Sequence, residues 1–366
     1  MKDYATMMKN TNARDMTRRN FLAGLTGLGM AMTLFPIPLY SAPQKATVIK
    51  PSRLNPGDTF GLITPASAAF EPATIRAGIE TIQSLGFKVK TGKHIKAKWG
   101  YLAGSDEDRV TDLHRMFEDD EVKAIIALRG GYGSMRLLNL IDYDLIAKHP
   151  KIFIGYSDIT ALNLGIYHKT GLVTFHGPVA ISSFSQYTKD YFLKIVTSTE
   201  PLGVIKHPQP GNPLRPTAHL GTIHGGKATG RLIGGNLTIF TALLGTPFEV
   251  DLKDAILFLE ETGEEPYDVD RMLTQLLLSG KLDQVAGIVF DKCDNCKPGD
   301  YKPAFYNTLS LEEVLEDRLG KLGCPVLYGL PLGHLADKPT LPMGIQTTLD
   351  ADRQVLIFEE AAVTWE

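Results

Sequence analysis

The hydrophobic and polar positions of residues 59–178 repeat with two alternating periods. Short apolar runs rich in β-branched and aromatic residues predict strands, and longer segments with apolar residues every three or four positions predict helices. The predicted strands cover residues 60–65, 87–90, 122–128, 152–155 and 172–175, and the predicted helices cover residues 73–85, 106–117, 134–141 and 161–168. Strands that alternate with helices indicate a parallel sheet, so we predict an N-terminal α/β domain with a Rossmann-like or flavodoxin-like sheet.

The pattern changes after residue 185. Residues 186–218 are rich in Pro, Ser, Thr and Lys, and we interpret them as a linker between two domains. Beyond the linker, the predicted strands cover residues 256–259, 285–290 and 326–330, the predicted helices cover residues 270–278 and 309–319, and a hairpin covers residues 347–360. We therefore expect an α/β domain over residues 48–185 and a mixed α+β C-terminal domain over residues 219–366.

The N-terminus has the pattern of a targeting segment. Arg18 and Arg19 precede an apolar, glycine-rich run at residues 21–40, which predicts a twin-arginine export signal over residues 1–42 and a periplasmic protein. An uncleaved anchor is the alternative, but Pro36 and Pro38 make the run a poor membrane span. We expect no stable membrane association once the signal is removed.

Composition narrows the class of partner. The chain has 366 residues, 43% of them hydrophobic and 22% charged, which is enough for two substantial cores. Its net charge of −3 gives no reason to expect nucleic acid as a partner. The cysteines are Cys293, Cys296 and Cys324, so the C-x-x-C pair lacks the second pair that a structural zinc site needs. We expect no metal or cofactor, and leave open whether the pair is reduced or forms a disulfide.

The first candidate for chemistry is Ser157. The apolar run at residues 152–154 ends in Gly155-Tyr156-Ser157-Asp158 and passes directly into a helical pattern. A serine on a sharp strand-to-helix turn is typical of a nucleophile, whose oxyanion the helix N-terminus can stabilise. Ile159 replaces the second glycine of the G-x-S-x-G motif, so a simple helix N-cap is the alternative.

Three unusual loops follow predicted parallel strands, at residues 64–67, 129–133 and 156–158. Because ligands bind beyond the carboxyl ends of such strands, we expect these loops to converge at one site. Residues 129–133 have neither the Lys-Ser/Thr ending of a P-loop nor the spacing of a dinucleotide site. We assign an oxyanion hole to the backbone N–H of Asp158 and of Gly131 or Gly130.

A serine nucleophile needs a base and an acid that orients the base. His176, His224 and His334 lie in segments where a loop could present them, and His334 follows a predicted strand through Gly333. Glu260 and Glu261 end the apolar run at residues 256–259, where a carboxylate is costly unless it is paired.

Together these residues resemble the LD-carboxypeptidase family of serine peptidases. The motifs that carry the resemblance are Arg129-Gly130-Gly131-Tyr132-Gly133, Gly155-Tyr156-Ser157-Asp158, Gly234-Gly235-Asn236-Leu237, Leu259-Glu260, Pro266-Tyr267 with Asp270-Arg271-Met272-Leu273, and Gly333-His334. The resemblance implies that Ser157 is the nucleophile, His334 the general base and Glu260, rather than Glu261, its orienting acid. It also implies an active site between the two domains and a homodimer.

The resemblance implies a murein tetrapeptide substrate, with D-Ala cleaved from an L-centred diaminopimelate or lysine. Arg129, Gly130 and Asn236 are candidates for binding substrate, although Asn236 could cap a turn and Arg129 could pair with a core carboxylate. Two other functions remain open. One is the cleavage of peptide-nucleotide antibiotics, as in the microcin-C immunity peptidases of the same family, and the other is a non-catalytic periplasmic binding protein. The family is often cytoplasmic, so the export signal is a departure.

Overall fold

The structure is a computed structural model that describes residues 47–208, 220–299 and 303–365, so the predicted signal at residues 1–42 lies outside the described residues. The strands are β1 (Thr59–Ile63), β2 (Lys88–Thr91), β3 (Val122–Ala127), β4 (Ile152–Gly155), β5 (Phe175–His176), β6 (Gly203–Ile205), β7 (Gly221–His224), β8 (Lys227–Asn236), β9 (Ile256–Glu260), β10 (Gly287–Asp291), β11 (Val326–Leu330), β12 (Leu341–Pro342), β13 (Gln346–Asp350) and β14 (Val355–Phe358). The helices are α1 (Pro72–Ser84), α2 (Asp106–Glu118), α3 (Tyr143–Lys148), α4 (Thr160–Thr170), α5 (Gln186–Thr197), α6 (Leu237–Ala242), α7 (Pro266–Leu278) and α8 (Leu311–Leu319).

The first sheet confirms the predicted α/β class. Its six strands run in the order β12-β5-β4-β3-β1-β2, and the strands from β1 to β5 pair in parallel. The central strands β3 and β4 are apolar and almost wholly buried, as expected where both faces of a parallel sheet are covered. The carboxyl ends of these strands therefore lie along one edge of the sheet, with the loop to Ser157 following β4.

The second sheet is mixed, as the C-terminal pattern predicts. Its eight strands run in the order β6-β14-β13-β8-β9-β10-β11-β7, with parallel pairing from β8 to β11 and antiparallel pairing outside that block. The predicted C-terminal hairpin is present as β13 and β14. The short strand β12 crosses to the first sheet, where it pairs antiparallel with β5.

The helix predicted at residues 134–141 is wrong in extent. The structure has a single 3₁₀ turn at Ser134–Leu137, and the α-helix of this region, α3, begins at Tyr143. The side chain of Asp142 accepts a hydrogen bond from the Leu145 N–H at 2.9 Å. This N-cap begins a separate helix just after residue 141, where the helix predicted from the apolar pattern was expected to end.

The linker predicted at residues 186–218 contains regular structure. Helix α5 occupies its first part, and β6 adds an edge strand to the second sheet by pairing with β14. Ser185 caps α5 by accepting a hydrogen bond from the Thr188 N–H, and Phe192 and Val196 bury the inner face of the helix. The Pro, Ser and Thr content of the whole segment misled the prediction, because the apolar positions Phe192, Ile195 and Val196 already repeat at helical spacing within it. Residues 209–218 lie outside the described residues.

Cys293 and Cys296 form a disulfide. Of the reduced and oxidised states that the sequence left open for this pair, the structure has the oxidised one. No helix within the described ranges is long and apolar enough to cross a bilayer. The disulfide lies in the segment after β10. In the same segment, Asp294 forms an isolated β-bridge with Thr262.

Candidate active site

Ser157 sits on a strained turn between β4 and α4. Its φ is +61°, in the left-handed region that few residues other than glycine adopt, and a 3₁₀ turn at Ser157–Ile159 leads into the helix. A Cβ on Gly155 would lie 2.6 Å from Ile159 Cγ2, so only glycine allows the chain to turn this tightly. Such strain is concentrated at functional sites. The Ser157 hydroxyl makes no capping bond to the helix, so the simple N-cap alternative does not describe it.

The structure brings Ser157, His334 and Glu260 together, although they are far apart in sequence. His334 Nε2 lies 3.2 Å from Ser157 Oγ, and His334 Nδ1 lies 2.8 Å from Glu260 Oε2. With the ring proton on Nδ1 donated to the carboxylate, Nε2 is the acceptor for the serine hydroxyl. This is the connectivity of a nucleophile, a base and an orienting acid.

Glu260, rather than Glu261, contacts the histidine. Glu260 ends β9 fully buried. The neighbouring Glu261 turns away and accepts hydrogen bonds from the Thr238 N–H and hydroxyl at 2.8 Å and from Asn236 Nδ2 at 3.0 Å. Two adjacent carboxylates thus have different roles, because side chains of consecutive strand residues point to opposite faces of a sheet.

The charge of Glu260 tunes His334. Burial by itself lowers the pKa of the imidazole, but the hydrogen bond and charge of Glu260, together with the charges of Glu261 and Asp291, raise the pKa of His334 above its ordinary value. The same negative charge stabilises the imidazolium that would form when the ring takes the serine proton. His334 is therefore poised to act as a base and then as an acid.

The three predicted loops converge beside Ser157. The Ser67 hydroxyl accepts a hydrogen bond from the Tyr132 N–H at 3.0 Å, which joins the loop after β1 to the glycine-rich loop after β3. The Asp158 carboxylate accepts hydrogen bonds from the backbone N–H groups of Gly133 at 3.2 Å and Ser134 at 2.9 Å. Asp158 therefore holds the glycine-rich loop against the turn that carries Ser157.

This clamp sets the backbone that we assign to an oxyanion hole. A Cβ on Gly130 would lie 3.3 Å from Ser157 Cβ and 3.4 Å from the Asp158 nitrogen, so the loop backbone runs directly past the serine. Gly131 has a φ of +106°, which favours glycine at this position. Within the described ranges, no group accepts a hydrogen bond from the N–H of Gly131 or of Asp158. Both donors remain available to a developing negative charge.

Arg109 holds the loops together and was missed by the sequence prediction. Its buried Nη1 donates hydrogen bonds to the carbonyl oxygens of Pro65 at 2.7 Å and Gly133 at 2.8 Å. The charged composition of α2 suggested a solvated position. The burial of Arg109 could have been recognised from its spacing, because it lies four residues before Leu113 and so on the apolar face of α2.

The other candidate histidines do not contact Ser157. His224 lies on β7 and pairs with Val326 at the start of β11, whereas His334 follows the end of that strand. His176 is fully buried, lies 3.0 Å through Nε2 from the Leu332 carbonyl oxygen, and burial lowers its pKa to about 4. Across residues 47–208, 220–299 and 303–365, no three His, Cys, Asp or Glu side chains are grouped so as to hold a metal ion.

Asp291 contacts the other backbone group of Leu332, its N–H. Its Oδ1 accepts a hydrogen bond from the Leu332 N–H at 3.1 Å, so His176 and Asp291 together fix the backbone two residues before His334. Asp291 is fully buried at the end of β10. Burial, together with the nearby charge of Glu260, raises its pKa to about 8, so the carboxyl is neutral at pH 7.

This buried acid predicts a pH-dependent stability. In the unfolded chain Asp291 loses its proton near pH 4, but in the folded protein it keeps the proton until about pH 8. Between these values raising the pH lowers the free energy of unfolding, by at most ~1.4 kcal/mol per pH unit for one proton. We expect Asp291→Asn to gain stability relative to the wild type between pH 5 and pH 8, as measured by urea unfolding. A stability difference that does not change with pH would contradict this prediction.

The structure places the predicted substrate-binding residues differently. Asn236 Oδ1 accepts a hydrogen bond from the Ile239 N–H at 3.1 Å, and so caps α6 while its amide donates to Glu261. This is the capping role that the sequence left open, and a substrate role for Asn236 stays a prediction. Arg129 makes one long contact, 3.4 Å from Nη1 to the Ala68 carbonyl oxygen, and pairs with no carboxylate of the described ranges. Gly130 borders Ser157, as described above.

Gly333 is required by the contact between His334 and Glu260. A Cβ at this position would lie 2.1 Å from Glu260 Oε2. We expect Gly333→Ala to displace the carboxylate and lower the turnover of this site by ~10²-fold, which is the cost of a misplacement of about 1 Å. Gly323→Ala is the matched control, because a Cβ there meets no atom within 4 Å and the rate should not change. Equal rates for the two variants would contradict the assignment.

The sequence is similar to known proteins over most of its length. The family model of the LD-carboxypeptidase N-terminal domain matches residues 60–177 of this chain, and the model of the LD-carboxypeptidase C-terminal domain matches residues 229–349. The chain is 42% identical over 315 residues to the probable murein peptide carboxypeptidase of Bacillus subtilis, which covers 85% of this chain and 94% of that protein. Both matched regions include members of the candidate site, Ser157 in the first and Glu260 in the second.

Solved structures share the architecture. The structure of MccF in complex with glutamyl sulfamoyl guanosine superposes with a TM-score of 0.77 at 30% identity, covering 86% of this chain and 99% of that chain. The muramoyltetrapeptide carboxypeptidase from Oxalobacter formigenes superposes with a TM-score of 0.70 at 31% identity, covering 82% of this chain and 99% of that chain. The similarity therefore extends over nearly the whole described fold.

Proposed function

The chain belongs to the LD-carboxypeptidase family, and from that premise we propose that it is a serine-type LD-carboxypeptidase that releases terminal D-Ala from murein tetrapeptides. The observation that carries the proposal is the hydrogen bonding of His334 to both Ser157 and Glu260. The relative named a probable murein peptide carboxypeptidase supports the substrate class. A non-catalytic binding protein would not need these contacts among Ser157, His334 and Glu260. Membership of a peptidase family also argues against a non-catalytic role.

The mechanism follows from the geometry of the site. His334 Nε2 takes the proton of Ser157 as the hydroxyl oxygen attacks the carbonyl between the L-centre and D-Ala, while the N–H groups of Gly131 and Asp158 bind the oxyanion. The intermediate collapses when His334 returns the proton to the amine of D-Ala, which leaves an ester on Ser157. A water then attacks the ester with His334 as base, and this step frees the tripeptide acid and restores the serine.

A pair of diastereomeric peptides tests the proposal. The wild-type protein is incubated with L-Ala-γ-D-Glu-meso-diaminopimelate-D-Ala and with the peptide that ends in L-Ala, and the free alanine is measured by mass spectrometry. We expect release from the peptide that ends in D-Ala and little from the other. No release from either peptide would contradict the proposed activity, and equal release would contradict its stereochemistry.

A second candidate is cleavage of an acyl-sulfamoyl nucleoside, the class of ligand bound in the MccF structure. The observation that favours it is a pair of exposed aromatic rings beside the glycine-rich loop, Tyr101 and Tyr132, whose centroids are 5.5 Å apart. Such rings can stack on a nucleobase. Glutamyl sulfamoyl guanosine, offered in the same assay, separates the candidates, and faster cleavage of this nucleoside than of the tetrapeptide would favour the second.

The proposal also includes export by the signal at residues 1–42, a periplasmic location and a homodimer. In the periplasm the enzyme would meet tetrapeptides attached to murein strands as well as free peptides. This location extends the range of substrates without changing the chemistry of Ser157.

A further inference from the structure

Lys338 is a buried cation close to the candidate active site. Its side chain belongs to the loop that follows His334, and the residue is only 4% exposed. The Lys338 N–H donates a hydrogen bond to Thr188 Oγ1 at 3.0 Å, so the backbone that carries the side chain is fixed against α5. Lys338 is therefore a buried part of the fold with a fixed backbone, rather than a lysine on the surface.

Within the described residues, the ammonium group has no ion-pair partner, although the charges of nearby acids act on it from a longer distance. Three acidic side chains lie near enough for their charges to act on Lys338, but each accepts a hydrogen bond from another group: Glu260 from His334, Asp291 from the Leu332 N–H, and Asp337 from the Ser185 hydroxyl. Within residues 47–208, 220–299 and 303–365, no carboxylate lies at ion-pair distance from Lys338 Nζ, and burial lowers the pKa of this lysine. A buried charge without a partner is costly, and an anionic ligand would supply the missing one.

The location matches the leaving-group side of the reaction. Lys338 Nζ lies 5.6 Å from the centroid of the Tyr156 ring, and the Tyr156 ring lies 4.9 Å from the His334 ring. His334 must deliver a proton to the amine of the departing residue, so that residue lies on the histidine side of the scissile bond. In a carboxypeptidase the terminal carboxylate is two bonds from this amine nitrogen.

We propose that Lys338 binds the terminal carboxylate of the substrate and so restricts the site to the last residue of a peptide. This inference rests on the proposed function and names the group that makes the enzyme a carboxypeptidase rather than an endopeptidase. A terminal carboxylate would complete the ion pair that the folded chain lacks, and a peptide that continues beyond D-Ala would leave Lys338 buried and unpaired.

Arg129 is the competing anchor. Its guanidinium lies near Gly131, since Nη2 is 3.8 Å from the position that a Gly131 Cβ would take. This places it on the side of the glycine-rich loop, where the oxyanion is expected, rather than with the departing residue. We therefore expect Arg129 to affect peptides with and without a free terminal carboxylate to the same extent.

The test measures binding, so that it does not depend on turnover. The full chain with Ser157→Ala is titrated in a calorimeter with L-Ala-γ-D-Glu-meso-diaminopimelate-D-Ala and with the same peptide ending in D-alaninamide. We expect the acid to bind ~10–100-fold more tightly than the amide, as a charge-assisted contact predicts. Adding Lys338→Met should remove this preference by weakening only the acid, and Lys338→Arg should keep part of it.

The outcomes separate the inference from the proposed function. If Lys338→Met leaves the acid preference intact, or if Arg129→Gln removes it instead, the inference is overturned. If the wild type releases no D-Ala but the Ser157→Ala chain still prefers the acid through Lys338, the carboxylate site stands and the proposed reaction fails. The thermal midpoint of the Lys338→Met chain should be unchanged or higher, because the substitution removes a buried unpaired charge. That result would show that lost binding is not lost folding.

Discussion

Replacing Ser157 with alanine is expected to lower kcat for D-Ala release by ~10³–10⁶-fold. The variant lacks the oxygen that attacks the carbonyl. It also lacks the hydroxyl that lies 3.2 Å from His334 Nε2 in the wild type, so the histidine has no proton to take. Binding should survive, because the glycine-rich loop and the clamp by Asp158 do not involve the serine hydroxyl. The measurement is single-turnover release of D-Ala from the tetrapeptide, followed by mass spectrometry.

Ser84→Ala is the control for this variant. Ser84 is exposed at the end of α1, where its hydroxyl donates to the Thr81 carbonyl oxygen, and its loss should leave the rate unchanged. If Ser157→Ala retained a tenth or more of the wild-type rate while folding normally, the nucleophile would have to be another group.

The second large effect is expected from Glu260→Gln, which should lower kcat/KM by ~10²–10⁴-fold. The amide can still accept the hydrogen bond from His334 Nδ1, but it lacks the charge that stabilises the imidazolium. Because Glu260 raises the pKa of His334, its neutralisation should lower that pKa. The base must be neutral to act, so the acid limb of the kcat/KM profile should move to lower pH in the variant.

Glu261→Gln is the matched control for charge and position. Glu261 makes no contact with His334 and accepts hydrogen bonds from Asn236 and Thr238, so its neutralisation should shift the acid limb less and lower stability more. If the two variants shifted the profile equally, or if Glu260→Gln moved the limb to higher pH, the orienting role of Glu260 would be wrong.

The sequence predicted the chemical groups of the site because each ends or follows an apolar strand. Ser157 follows β4, Glu260 ends β9 and His334 follows β11 through a short loop. Buried runs of this kind are visible as local patterns, and the carboxyl ends of parallel strands are where ligands bind. The glycines at positions 155 and 333 were also visible, although only the structure shows the atoms they avoid.

The sequence could not predict how the two sheets are joined, because the contacts between them include single hydrogen bonds and a very short strand that have no local sequence pattern. The Asn236 N–H donates to Thr160 Oγ1 at 3.1 Å, which ties the end of β8 to the helix that follows Ser157. The two-residue strand β12 has no pattern of its own, yet it carries the chain after His334 onto the first sheet. Arg109, Asp291 and Lys338 were missed for a similar reason, since their burial depends on distant elements.

The most direct test of the account is the site of covalent modification by a fluorophosphonate. The full chain is treated with the reagent, and peptide mass spectrometry locates the adduct. We predict one adduct on Ser157, formed much more slowly in the His334→Ala variant, because the histidine activates the hydroxyl. Modification of a different residue, or equal rates with and without His334, would contradict a working site made of Ser157, His334 and Glu260.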